Sequence, residues 1–135
     1  MIALLLLFIF GTAYPAPVRG VVGSETGWFE CRAPEHYDGD AIRCAGMQRS
    51  MRLYGIDAPE MPGSCRPGRK CTPGAPYAAR AHLTALTEGR RVICDQRGTD
   101  RYRRVIVRCL ADEIDLSCRM VADGRAVQRY GRLDC

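Results

Sequence analysis

The stretch Arg52-Leu53-Tyr54-Gly55-Ile56-Asp57-Ala58-Pro59-Glu60 decides the reading of this chain. Met51 to Ile56 is an apolar, strand-like run, and two carboxylates, Asp57 and Glu60, come directly off its end. Upstream, Gly27 to Glu35 and Ala41 to Ala45 are short, partly alternating stretches separated by Tyr37-Asp38-Gly39-Asp40, a composition that turns the backbone. Three strands in a meander follow from this, with acidic groups at two strand ends.

Downstream, residues 61–76 hold Pro62, Pro67, Pro73 and Pro76 with Gly63, Gly68 and Gly74, which exclude regular structure, and Arg66, Arg69 and Lys70 make the segment a cationic loop. Pro76 then opens an amphipathic helix through Ala79, Leu83 and Leu86 that Gly89 stops. Arg91 to Asp95 and Val105 to Leu110 read as two further strands able to pair as a hairpin across Gly98, and Ile114, Leu116, Met120 and Val121 as a short second helix ended by Gly124. The expected fold is mainly β with α: a five-stranded barrel of the OB type, one helix between strands 3 and 4 and a second after strand 5.

The chain has 135 residues, a net charge of +5 and eight cysteines, and 47% of it is hydrophobic, which excludes a disordered polyelectrolyte. Of the 20 basic residues only Lys70 is a lysine, and this excess of planar guanidinium forks leans toward an anionic partner. Ile2 to Phe10 is an unbroken apolar run, short of the about 20 residues that a bilayer needs. Residues 1–16 are therefore expected to be a secretory signal, with cleavage after Ala13 or Ala16, or an N-terminal anchor if uncleaved, and residues 27–135 one domain that is secreted or periplasmic. All eight cysteines lie beyond that segment, as disulfides of an exported protein would. No CxxC pair exists, and His36 and His82 are not at ligand spacing from any cysteine, so zinc is not expected. Counting cannot choose among the pairings; predicted neighbours favour Cys31 with Cys44, Cys65 with Cys71, Cys94 with Cys109, and Cys118 with Cys135.

Asp38-Gly39-Asp40 alone is most simply a hairpin turn, and Asp57 to Glu60 a loop opening. A third segment, Asp100-Arg101-Tyr102-Arg103-Arg104, changes the balance. Phosphodiester hydrolysis gathers negative charge on phosphorus oxygens, which fixed arginines stabilise, and hard cations collect carboxylate and carbonyl oxygens. The set such chemistry needs is present: Asp40 and Asp57 for a metal, Glu60 as base, Arg52 and Arg104 as the charge clamp. His36, beside the turn, is the only histidine placed to serve as a base, and nothing in the sequence gives it a partner.

The three segments, in this order around one helix, resemble the staphylococcal nuclease (thermonuclease) family from about Cys31 to Tyr130, and Asp115 to Gly124 with Ala126 follow that family's second-helix pattern. The resemblance implies an OB-fold and a Ca²⁺-dependent phosphodiesterase that cuts the 5′ P–O bond of DNA and RNA to leave 3′-phosphates. It further implies that Asp40, Asp57 and the backbone carbonyl of Ala58 ligate Ca²⁺, with Asp38 as an outer acid. Glu60 would activate water, Arg52 and Arg104 would hold the scissile phosphate, Arg101 and Tyr102 would touch a neighbouring phosphate, and Tyr130 would stack on a base. The implied partner is single-stranded or unwound DNA or RNA; no stable protein partner is expected, and a membrane only if the N-terminal segment is retained. Three positions depart from the pattern: Ala41 stands where the family has Thr, Arg103 where it has Gly, and Ala58 is changed where only the backbone oxygen is needed. The first two motivate an alternative, a catalytically weakened OB-type nucleic-acid-binding module; the cysteine count alone also allows a small disulfide-framework effector.

Overall fold

The apolar run at 51–57 forms two strands rather than one, because Gly55 turns the backbone through φ +75°, a conformation disfavoured for any residue with a Cβ. A Cβ there would also stand 2.6 Å from Leu133 Cδ2, so the leucine side chain would have to shift as well. The computed structural model describes residues 27–135; the expected signal at 1–16 lies outside them. In chain order the elements are β1 (Trp28–Glu30), β2 (Ala41–Ile42), β3 (Met51–Leu53), β4 (Ile56–Asp57), α1 (Pro76–Thr87), β5 (Val92–Thr99), β6 (Val105–Ala111), β7 (Ile114–Asp115), α2 (Leu116–Ala122) and β8 (Val127–Gln128).

The pairing order is β1-β5-β6-β3-β2, with β7 on β6, and β4 pairs with β8 as a separate ribbon. This is mainly β sheet with two helices, in keeping with an OB-like fold, but it corrects the expected five-stranded barrel. The described residues form eight strands whose pairings do not close, α1 follows the fourth strand rather than the third, and α2 follows the seventh rather than the fifth. The break at Gly55 accounts for the additional strand before α1, and the residues after α2 supply a partner for β4. The segment expected to be a strand from Gly27 to Glu35 is regular only at β1, with one further bridge from Glu35 to Arg43.

β5 and β6 form the longest antiparallel pair, with a register shift between Gln96 and Gly98, and β3 lies parallel to β6. Cys94 faces Cys109 across this hairpin and the two are joined. Cys31–Cys44, Cys65–Cys71 and Cys118–Cys135 are the other disulfides, so the pairs are those that neighbouring segments favoured. Four disulfides in so small a domain fit an oxidising compartment.

Pro76 opens α1 and Gly89, at φ +68°, follows its end. The buried face of α1 is Ala79, Leu83 and Thr87, set against a core that includes Ile42, Leu53, Ile56, Val92, Val107, Leu116 and Met120. Asp115 caps α2 by accepting from the Cys118 N–H at 3.1 Å. Among the described residues no helix is long and apolar enough to cross a membrane.

Candidate active site

The Asp38-Gly39-Asp40 turn is held from two sides. A Cβ on Gly39 would stand 2.8 Å from Ala79 Cβ on α1 and 2.9 Å from Ala58 Cβ, so only glycine lets the turn lie between the helix and the segment after β4. The Leu53 N–H donates to the Asp40 carbonyl at 2.8 Å, fixing the turn to β3, and the Ala58 N–H donates to Asp40 Oδ2 at 2.8 Å. Asp38 Oδ1 accepts from the Asp40 N–H at 3.1 Å. Burial, and then the neighbouring charge of Asp38, push the Asp40 carboxyl up to about 8, although Arg52 opposes the shift.

Arg52 leaves β3 at the register position facing Ala41 of β2, and its side chain is almost wholly buried. Its Nη2 donates to Asp57 Oδ1 at 2.7 Å and to the Ile56 carbonyl at 3.1 Å, and lies 3.5 Å from Asp40 Oδ2. Asp57 is completely buried and takes three further donors: Arg69 Nη2 on Oδ1 at 3.3 Å, Thr72 Oγ1 on Oδ2 at 2.7 Å, and Arg129 Nη1 on Oδ2 at 3.2 Å. Burial alone would raise the Asp57 carboxyl, but the Thr72 and Arg52 hydrogen bonds outweigh it and hold it below the usual carboxylate range.

Glu60 forms an ion pair with Arg69, whose Nη1 lies 2.8 Å from Oε1, and no partner is given to its Oε2 among the described residues. Arg104 is placed by the turn between β5 and β6. There Asp100 Oδ1 accepts the Tyr102 and Arg104 N–H groups at 2.8 and 3.0 Å, and Asp100 Oδ2 accepts Arg104 Nε at 2.7 Å. Burial would raise Asp100, but the Arg104 hydrogen bonds hold it below its ordinary value. Arg103 takes the left-handed φ of +65°, so the departure from glycine places a side chain in a disfavoured backbone region while Arg104 still reaches the site.

Asp38, Asp40, Arg52, Glu60, Arg66, Arg69, Tyr102 and Arg104 line one open cleft of about 470 Å³. Arg101 and Tyr130 line an adjoining hollow with Arg52, Tyr102 and Ile106. Tyr130 is exposed, with the Arg52 and Arg129 guanidinium groups 5.6 and 5.0 Å from its ring centroid, and Tyr102 is exposed with Arg66 at 5.4 Å and Arg101 at 5.0 Å. Asp57 does not open on the cleft; it lies behind Arg52. His36 is not placed as a base: Nδ1 donates to the Ala41 carbonyl at 2.8 Å, Nε2 faces Thr87 Oγ1 at 2.9 Å, and burial holds its pKa below the ordinary value.

Among the described residues no three acidic, histidine or cysteine side chains converge into a metal cage. The donor chemistry nevertheless suits a hard cation: Asp38 and Asp40 line the cleft side by side, and Asp40 is disfavoured as a free anion.

Sequence reasoning placed Asp38, Asp40, Arg52, Glu60, Tyr102 and Arg104, and these come together. It missed Arg69, Thr72 and Arg129, whose roles depend on the folded loop and on a segment 72 positions from Asp57. The basic residues between Cys65 and Cys71 were the only signal pointing to Arg69. The family model of staphylococcal nuclease homologues matches residues 50–134, from just before Arg52 to beyond Tyr130, while no curated protein matches the chain. The matched span holds Arg52, Glu60, the Asp100 to Arg104 turn and both helices, more than half of the sequence, and on this ground the chain belongs to the staphylococcal nuclease homologue family.

Proposed function

We propose that this protein is a secreted, Ca²⁺-dependent nuclease hydrolysing phosphodiester bonds of single-stranded or unwound DNA or RNA. The observation that carries the reading is the convergence of Arg52, Glu60 and Arg104 on one open cleft beside Asp38 and Asp40. Family membership supports a nuclease, and the disulfides support export.

Glu60 takes a proton from the attacking water, whose oxygen forms the new bond to phosphorus while the P–O5′ bond breaks, leaving a 3′-phosphate and a 5′-hydroxyl. The departing oxygen takes up a proton from solvent. Arg52 and Arg104 hold the phosphate and oppose the charge that builds on its oxygens, which is worth most where the donors are fixed beforehand. Arg52 meets this condition through its bonds to Asp57 and the Ile56 carbonyl, and Arg104 through Asp100. Arg101 and Tyr102 bind the next phosphate, and Tyr130 stacks on a base. Asp40 with the Ala58 carbonyl would hold the cation, Asp38 lying outside it, and Asp57 would share it on releasing one of its guanidinium partners. Bound there, Ca²⁺ supplies positive charge to the phosphate oxygens.

A binding-only reading is favoured by one observation, the full engagement of Asp57 by three arginines and a threonine. Incubating the oxidised protein with single-stranded DNA and Ca²⁺, with and without chelator, separates the two. Cleavage that chelator stops and that Glu60→Ala loses is the expected result; salt-dependent binding with no chelator-sensitive cleavage refutes the enzyme.

A further inference from the structure

The segment between β4 and α1 delivers two further arginines, Arg66 and Arg69, to the cleft that Arg52 and Arg104 line. Arg69 extends one Nη to Glu60 Oε1 at 2.8 Å and the other to Asp57 Oδ1 at 3.3 Å, so its fork spans the expected base and the carboxylate that orients Arg52. The loop has no helix or strand of its own, and its prolines and glycines would leave Arg69 a wide range of positions. Three bonds remove that freedom: Cys65–Cys71 closes the loop around Arg69, the Lys70 carbonyl accepts from Arg129 Nη1 at 2.9 Å, and Thr72 Oγ1 donates to Asp57 Oδ2 at 2.7 Å. Cys65 is exposed and the bridge spans only 6 positions, so by loop-closure entropy it adds less to global stability than the three longer ones.

We propose that Arg69 is a positioning residue: held by the Cys65–Cys71 loop, it fixes the Glu60 carboxylate by one oxygen and leaves the other free to meet the attacking water. This rests on the nuclease reading above. Arg69 already has a carboxylate on each Nη, so its work is on Glu60 rather than on substrate phosphate. A lysine concentrates its charge on one nitrogen and does not reproduce the planar fork that gives each carboxylate its own nitrogen.

The test compares the oxidised wild type with Arg69→Ala, Arg69→Lys and the Cys65→Ser/Cys71→Ser pair. It measures kcat and KM on single-stranded DNA with Ca²⁺, and the Kd of a labelled single strand by fluorescence anisotropy in chelator, where no cleavage occurs. Misplacing a catalytic group by about 1 Å can cost about 100-fold, so Arg69→Ala is expected to lower kcat by about 10 to 100-fold with KM and Kd within about threefold of wild type. Arg69→Lys stays low in kcat, and the Ser pair falls in the same direction with its melting temperature little changed. Unchanged kcat in Arg69→Ala, full activity in Arg69→Lys, or a loss confined to KM and Kd overturns the proposal while leaving the nuclease intact. A wild type without chelator-sensitive cleavage overturns the nuclease reading and this inference with it.

Discussion

Arg52 and Arg104 have the same proposed role in catalysis, and their surroundings predict opposite consequences for folding. The Arg52 side chain is 10% exposed and sits against Asp57 at 0% and Asp40 at 6%. Arg52→Ala leaves two buried carboxylates short of their shared cation. Removing one partner of a buried pair costs about 3 to 5 kcal/mol, and the low end applies because Arg69, Arg129 and Thr72 still hold Asp57. At roughly 4 to 8 °C per kcal/mol for a small domain, about 3 kcal/mol lowers the melting temperature by more than about 10 °C. The Arg104 side chain is 45% exposed and pairs with Asp100 at a surface turn, so Arg104→Ala costs only about 0.2 to 1 kcal/mol. Thermal unfolding of the oxidised variants by circular dichroism, alongside kcat on single-stranded DNA, reads both effects. Both variants should lose turnover by orders of magnitude, and only Arg52→Ala should melt early. An Arg52→Ala protein melting within about 3 °C of wild type would refute the buried network as the support of this site, given the conversion above.

Gly39→Ala places a methyl against Ala79 and Ala58, and overpacking of this kind should cost about 1 to 3 kcal/mol in denaturant unfolding; an unchanged midpoint would show that the turn is not clamped. Cys94 and Cys109 are completely buried in the β5–β6 hairpin, so replacing both by Ala should destabilise the fold by about 2 to 5 kcal/mol, whereas mild reductant should attack the exposed Cys65 pair first, as thiol labelling with mass mapping can determine. Asp40, raised from 3.8 to about 8, holds its proton more tightly folded than unfolded, so its ionisation reduces stability progressively as pH rises between those values. A divalent cation on Asp40 must displace that proton; the rise in melting temperature on adding Ca²⁺ should therefore be larger at pH 9 than at pH 6, and an equal rise at both would exclude Asp40 as a ligand.

Local signals carried much of the fold. Helical spacing with Pro76 and Gly89 delimited α1, β-branched runs located β5 and β6 although β5 continues through the expected connection at Gly98 to Thr99, and the disulfide pairs followed from which segments lie next to one another. They could not show that Gly55 divides the 51–57 segment, since an isolated glycine is tolerated within a strand and only the folded chain sets its φ at +75°. Nor could they show that the 127–128 segment returns to pair with β4, because such short strands carry no periodicity.

The same division runs through the candidate site. The residue types and their order along the chain, from Asp38 and Asp40 through Arg52, Asp57 and Glu60 to Arg104, are properties of short contiguous segments and were readable from the sequence alone. What each side chain does there was decided by packing. Asp57, expected as a metal ligand, is the buried centre of a cluster with Arg52, Arg69, Thr72 and Arg129, and Arg69 from the cationic loop meets Glu60. A buried charge must find its partners among whatever groups the tertiary structure brings within hydrogen-bond distance, and no local pattern specifies a partner that lies 72 positions away.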